Sequence, residues 1–65
     1  MAQKHLRAVR RAAAAIDAAR DTLADKMLIA QESGEIVPDI AKAAGLSRSR
    51  CHELLRQARQ RREQQ

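Results

Sequence analysis

PDIAKAAGLSRSRCHELLR, from Pro38 to Arg56, is the stretch on which the reading of this 65-residue chain turns. Ile40, Ala41 and Ala44 recur at helical spacing, and Gly45 follows them as the residue most tolerant of positive φ. Leu46-Ser47 reopens the chain, and Ser47 is placed to cap a second helix. The apolar residues of that helix, Cys51, Leu54, Leu55 and Ala58, stand at i, i+3, i+4 and i+7. Pro38 fits the first turn of the earlier helix, where its missing N–H has no intrahelical partner to lose. The spacing predicts a short helix, a tight turn at glycine and a basic second helix, the arrangement of a DNA-reading helix-turn-helix.

Ile40, Ala41, Gly45, Leu46, Ser47, Cys51 and Leu54 together resemble the helix-turn-helix of bacterial repressors and of the resolvase/invertase recombinases. The resemblance covers about a third of the chain. It implies that the small residue Ala41 lets the two helices cross closely, that Gly45 makes the turn, and that Leu46, Cys51 and Leu54 anchor the second helix in the core. Three positions depart from the pattern. Val37 stands where a capping Ser or Thr is usual, Cys51 where Val or Ile is usual, and Arg50 where Thr is common. The first weakens a cap, the second is a small apolar exchange, and the third adds charge near the DNA.

With Cys51, Leu54, Leu55 and Ala58 inward, a 100° step points Ser49, Glu53, Arg56 and Gln60 outward, with His52 and Arg50 on the flanks. Ser47 and Arg48 occupy the first turn, where a recognition helix usually meets DNA. Arginine pairs bidentately with guanine in the major groove, and serine or histidine serves several base edges. Arg48, Ser49, His52 and Arg56 are therefore expected near bases. Arg50, Lys42, Arg59 and Arg61 are expected mainly at phosphates. Glu53 has two readings, accepting from cytosine or pairing with Arg50, Arg56 or Gln57 along the helix.

Charge is unevenly spread within a net +5. The first eleven residues carry four cations and no acid; residues 12–36 carry two cations against five acids; residues 37–65 carry seven against three. Such a distribution suits a scaffold that meets phosphate at particular places, and equally one whose charges only keep an alanine-rich chain in solution. The coincidence of cations with the second motif helix favours the former.

Ahead of the motif, Ala2 to about Ser33 reads as one long helix without Pro or Gly, stopped at Ser33-Gly34. At 1.5 Å per residue it spans roughly 45–50 Å, about twice the length of a compact unit with two short partners. Leu6, Val9, Ala13, Ile16, Arg20, Leu23, Met27 and Ala30 are spaced alternately by three and four, a heptad seam interrupted at Arg20. A homodimer through this helix is expected, because so short a chain gains most from added burial. Arg20 argues for an antiparallel or partial contact over a long two-stranded coil. The alternative is a monomer in which Leu23, Met27 and Leu28 serve one small core. Ile36 is expected to pack beneath the first motif helix as a hydrophobic staple. Residues 59–65 are expected to fray into a basic tail, and no strand pair offers a wing.

The expectation is thus an all-α, single-domain chain: a long helix over 1–33, a helix-turn-helix over 37–58 and a basic tail over 59–65. The absence of aromatic residues leaves a thin aliphatic core. One cysteine excludes an internal disulfide and fits a reducing, cytoplasmic setting; no apolar run approaches a membrane span or a signal peptide. Cys51 and His52 diverge on a helix, His5 is isolated, and the only glycines are Gly34 and Gly45, so no catalytic pair, metal site, cofactor or phosphate loop is expected. The expected function is sequence-specific binding of double-stranded DNA, as a small transcriptional regulator of a bacterial, plasmid or phage gene. Two alternatives stand beside it. One is a helical protein-interaction module of the antitoxin, anti-repressor or phage-inhibitor kind, and the other an accessory factor for recombination, replication or partition.

Overall fold

The computed structural model describes residues 2–64. They form three helices: α1 (Ala2–Glu32), α2 (Val37–Ala44) and α3 (Arg48–Glu63). The long first helix is followed by two shorter ones, and there is no strand among the described residues. The extents are 51 × 28 × 16 Å. Helix α1 sets the first of these, as its length requires.

Each helix end follows from local chemistry. At the end of α1 the chain turns at Gly34, with φ of 107°. The Gly34 N–H donates to the Gln31 carbonyl and the Glu35 N–H to the Ala30 carbonyl, both at 3.0 Å, so two terminal carbonyls are satisfied. The same device ends α2. Gly45 has φ of 70°, and the Leu46 N–H donates to the Ala41 carbonyl at 2.9 Å. Ser47 then caps α3, its Oγ accepting from the Arg50 N–H at 3.2 Å. A Cβ built on Gly45 would meet nothing within 4 Å, so the cost of substitution is in the backbone alone. Gly45→Ala should therefore destabilise by about 1 kcal/mol through left-handed strain. Urea denaturation checks this, and an unchanged midpoint would contradict the strain.

Ala24, Met27 and Leu28 of α1, Ile40 and Ala41 of α2, and Cys51, Leu54, Leu55 and Ala58 of α3 form one buried cluster. Ala41 allows α2 and α3 to approach, and Leu54, Leu55 and Cys51 are the largest fully buried side chains. All of these lie in the last third of α1 or beyond it. From Gln3 to Leu23 every residue of α1 is exposed. The stabilising core is thus confined to one end of a helix that continues well past it.

Two expectations are corrected. Ile36 is not a staple: it is 59% exposed and serves as the N-cap residue of α2, its carbonyl accepting from the Asp39 and Ile40 N–H groups. Val37 turns inward against the core instead. The extended backbone at Ile36, ahead of Pro38 at the start of α2, sends these neighbouring side chains to opposite sides. The cap therefore falls one residue before Val37, with no side chain bonding the helix N-terminus. The second correction concerns residues 59–63. They continue α3 rather than fraying into a tail.

Candidate nucleic-acid interface

The buried side of α3 determines which side chains it can present. Cys51, Leu54, Leu55 and Ala58 are each at most 2% exposed, so the opposite side of the helix faces solvent. Arg48, Ser49, His52 and Arg56 are all exposed: Ser49 and Arg56 opposite the core, His52 on the flank and Arg48 in the first turn. Ser47 is exposed too, but its hydroxyl is committed to the cap. Lys42 is exposed in the last turn of α2, one turn of chain before α3 begins.

Two predicted residues are engaged with each other. Arg50 and Glu53 are half-buried and pair at 3.0 Å between Nη1 and Oε1. Of the two readings of Glu53, intrahelical pairing is the one found. The pair commits the Arg50 guanidinium to Glu53 along the helix.

The end of α3 behaves differently from its start. Arg61 reaches α1, with Nη2 3.0 Å from the Asp25 Oδ1 and Nη1 3.3 Å from the Asp21 Oδ1. Arg61 also donates to the Asp21 backbone carbonyl at 3.2 Å. Arg62 pairs with Glu32, and Arg59 donates to the Gln31 side chain. Arg59 and Arg61, predicted at phosphates, therefore have their guanidinium groups turned to α1. The acidic middle of α1 is the counterpart of the basic end of α3. Sequence reasoning records both charge blocks but not their meeting, which depends on how the helices cross. These pairs are partly exposed, so each is modest and salt-sensitive. Arg61→Ala should cost on the order of 1 kcal/mol, about 4–8 °C in melting temperature at low salt, and much less at 1 M salt. A melting temperature unmoved at low salt would show that the contact contributes nothing.

Cys51 lies fully buried behind this surface, and burial pushes its thiol up from the ordinary value. Buried in one cluster with Leu54, Leu55 and Ala58, Cys51 serves packing.

Of the predicted residues, Lys42, Arg48, Ser49, His52 and Arg56 have no side-chain hydrogen bond or ion pair to another side chain among the described residues, and they surround the N-terminal half of α3. They can offer guanidinium forks, a hydroxyl and an imidazole to an anionic, hydrogen-bonding partner. Comparison with protein families, with curated proteins and with solved structures finds no match to the chain.

Proposed function

We propose that this chain is a sequence-specific double-stranded DNA-binding protein, a small transcriptional regulator of bacterial, plasmid or phage type acting in the cytoplasm. In this reading α2 and α3 are a helix-turn-helix and α3 enters the major groove from its Ser47-capped end. One observation carries it. The helix that contributes most to the core presents Arg48, Ser49, His52 and Arg56 on its solvent side, none of them held by another side chain among the described residues. A recognition helix needs this division, with a buried side to fix orientation and a polar side to read base edges.

Random-site selection with the purified protein should return a defined motif. Arg56→Ala should then weaken binding by about 1–3 kcal/mol and relax preference at particular base pairs. Equal loss on every sequence would reduce Arg56 to a phosphate contact, and no enriched motif from the wild type would sink the specific reading.

The chain works as a homodimer through α1. Support comes from Leu6 at 49%, Val9 at 63% and Ile16 at 60% exposure, three large apolar residues along one side of a projecting helix. Two copies of the motif would make the DNA site an inverted repeat.

A further inference from the structure

The apolar stripe of α1 does not end in solvent. At 3.6 residues per turn, Leu6, Val9, Ala13 and Ile16 lie on the same side of the helix as Met27, and the line drifts slowly around the axis as it ascends. It arrives at Leu23, Met27 and Ala30. These three residues form one wall of an open, mainly apolar groove of about 290 Å³ between α1 and α2, with Ile40 and Ala44 opposite. Glu35 and Asp39 stand on its rim, with Lys26 as the one cation there. Stripe and groove are one continuous surface.

We propose that this surface is the docking site for α1 of a second copy of the chain, lying antiparallel, with the first turns of the partner helix entering the groove. The proposal rests on the dimeric reading above and gives it a register. Three observations favour the second copy in this orientation.

The first is steric. The body formed by α2 and α3 adjoins the stripe at Met27 and Ala30, from Ala24 onward. In a parallel pair the two bodies would crowd the same end of the helices. In an antiparallel pair each body lies where the other helix ends.

The second is charge. A parallel pair would stack Arg20 on Arg20 in the seam and gather Lys4, Arg7, Arg10 and Arg11 of both chains at one end. An antiparallel pair carries that basic end toward the partner's Asp17 and the Glu35–Asp39 rim of its groove, acids that no arginine of α3 holds among the described residues.

The third is register. Pairing Leu6 with the partner's Leu23 also pairs Ala13 with the partner's Ile16, a small residue against a large one. It brings Arg10 beside the partner's Asp17 on one flank and Ala12 beside the partner's Ala19 on the other. Arg20 falls opposite the partner's Val9, at a position where its guanidinium is already drawn outward to Asp17 at 3.3 Å. In this register the two bodies are separated by about 25 residues of helix, roughly 38 Å, close to one turn of DNA.

Disulfide trapping tests orientation and register together. Chains carrying Leu6→Cys are mixed with chains carrying Leu23→Cys and mildly oxidised, with the wild type as the control for buried Cys51. The mixed disulfide dimer should exceed either homodimer by about tenfold or more. Independently, Arg10→Asp should weaken dimerisation about tenfold in sedimentation, and adding Asp17→Arg should restore it. Dominant Leu6→Cys homodimers would overturn the proposal in favour of a parallel pair. A wild-type chain that stays monomeric at millimolar concentration would overturn it in favour of a different partner for the stripe. DNA binding is read separately with Arg56→Ala, which should leave trapping unchanged. Trapping without a selected DNA motif would refute the DNA reading and keep this one, and the converse result would do the opposite.

Discussion

Leu55→Ala is expected to cost about 2–5 kcal/mol, because it deletes three carbons from a fully buried site and leaves a cavity. The magnitude matters here because the domain has little to spare. A chain of 65 residues is stabilised by roughly 3–10 kcal/mol in total, and the buried cluster of this one contains three alanines and a cysteine among its nine members. Leu54 and Leu55 are the largest side chains wholly inside it, and they face both α1 and α2 from the middle of α3. Their neighbours cannot collapse into the gap easily, since each is fixed on a helix whose ends are tied at Gly34, Gly45 and Ser47. The variant should therefore lose a large share of its stability, and with it the functions that need α3 in place. Ile16→Ala, on the exposed stripe, should leave the stability of the monomer within about 0.5 kcal/mol. Urea denaturation of both variants at low protein concentration separates these effects from dimerisation, which adds stability as concentration rises. A cost below about 1 kcal/mol for Leu55→Ala would mean that the three helices do not share one core.

Which features could be read from residues alone, and which could not, follows from the range of the forces involved. Gly34, Gly45 and Ser47 act within four residues of themselves, so their roles as turn, turn and cap are legible, and the geometry agrees at each. The inward set of α3 is legible for a similar reason: a 3.6-residue period on a short helix leaves only one side for Cys51, Leu54, Leu55 and Ala58. Ile36 and Val37 mark the limit of that logic. Both are β-branched and apolar, and only the backbone direction entering α2 decides which turns inward. The basic end of α3 lies beyond the limit altogether. Arg61 and Asp25 are 36 residues apart in sequence, and their meeting is set by the crossing of two helices. A block of acids in one helix and a block of cations in another is a signal, but one that names phosphate and carboxylate equally well.

That last distinction has a large measurable consequence, because binding to DNA counts the cations that actually reach it. A dimer using Lys42, Arg48 and Arg56 from each chain displaces about six counterions. The observed association constant should then fall with a log–log slope of about −5, losing about a thousandfold in affinity between 50 and 200 mM salt. If Arg50, Arg59, Arg61 and Arg62 also turned to phosphate, seven cations per chain would take part, and the slope would pass −10. The pairings observed argue for the shallower value. Arg50 is held by Glu53, Arg61 by Asp21 and Asp25, and Arg62 by Glu32, so moving any of them to DNA costs the contact it already makes. Titrating the selected site across this salt range decides between the two. Arg56→Ala should flatten the slope by about 2, one counterion from each chain, whereas Arg61→Ala should leave it unchanged although it lowers the melting temperature. A steep slope that Arg61→Ala flattens would show that the end of α3 leaves α1 when DNA arrives, and that the acids of α1 hold the arginines only until phosphate replaces them.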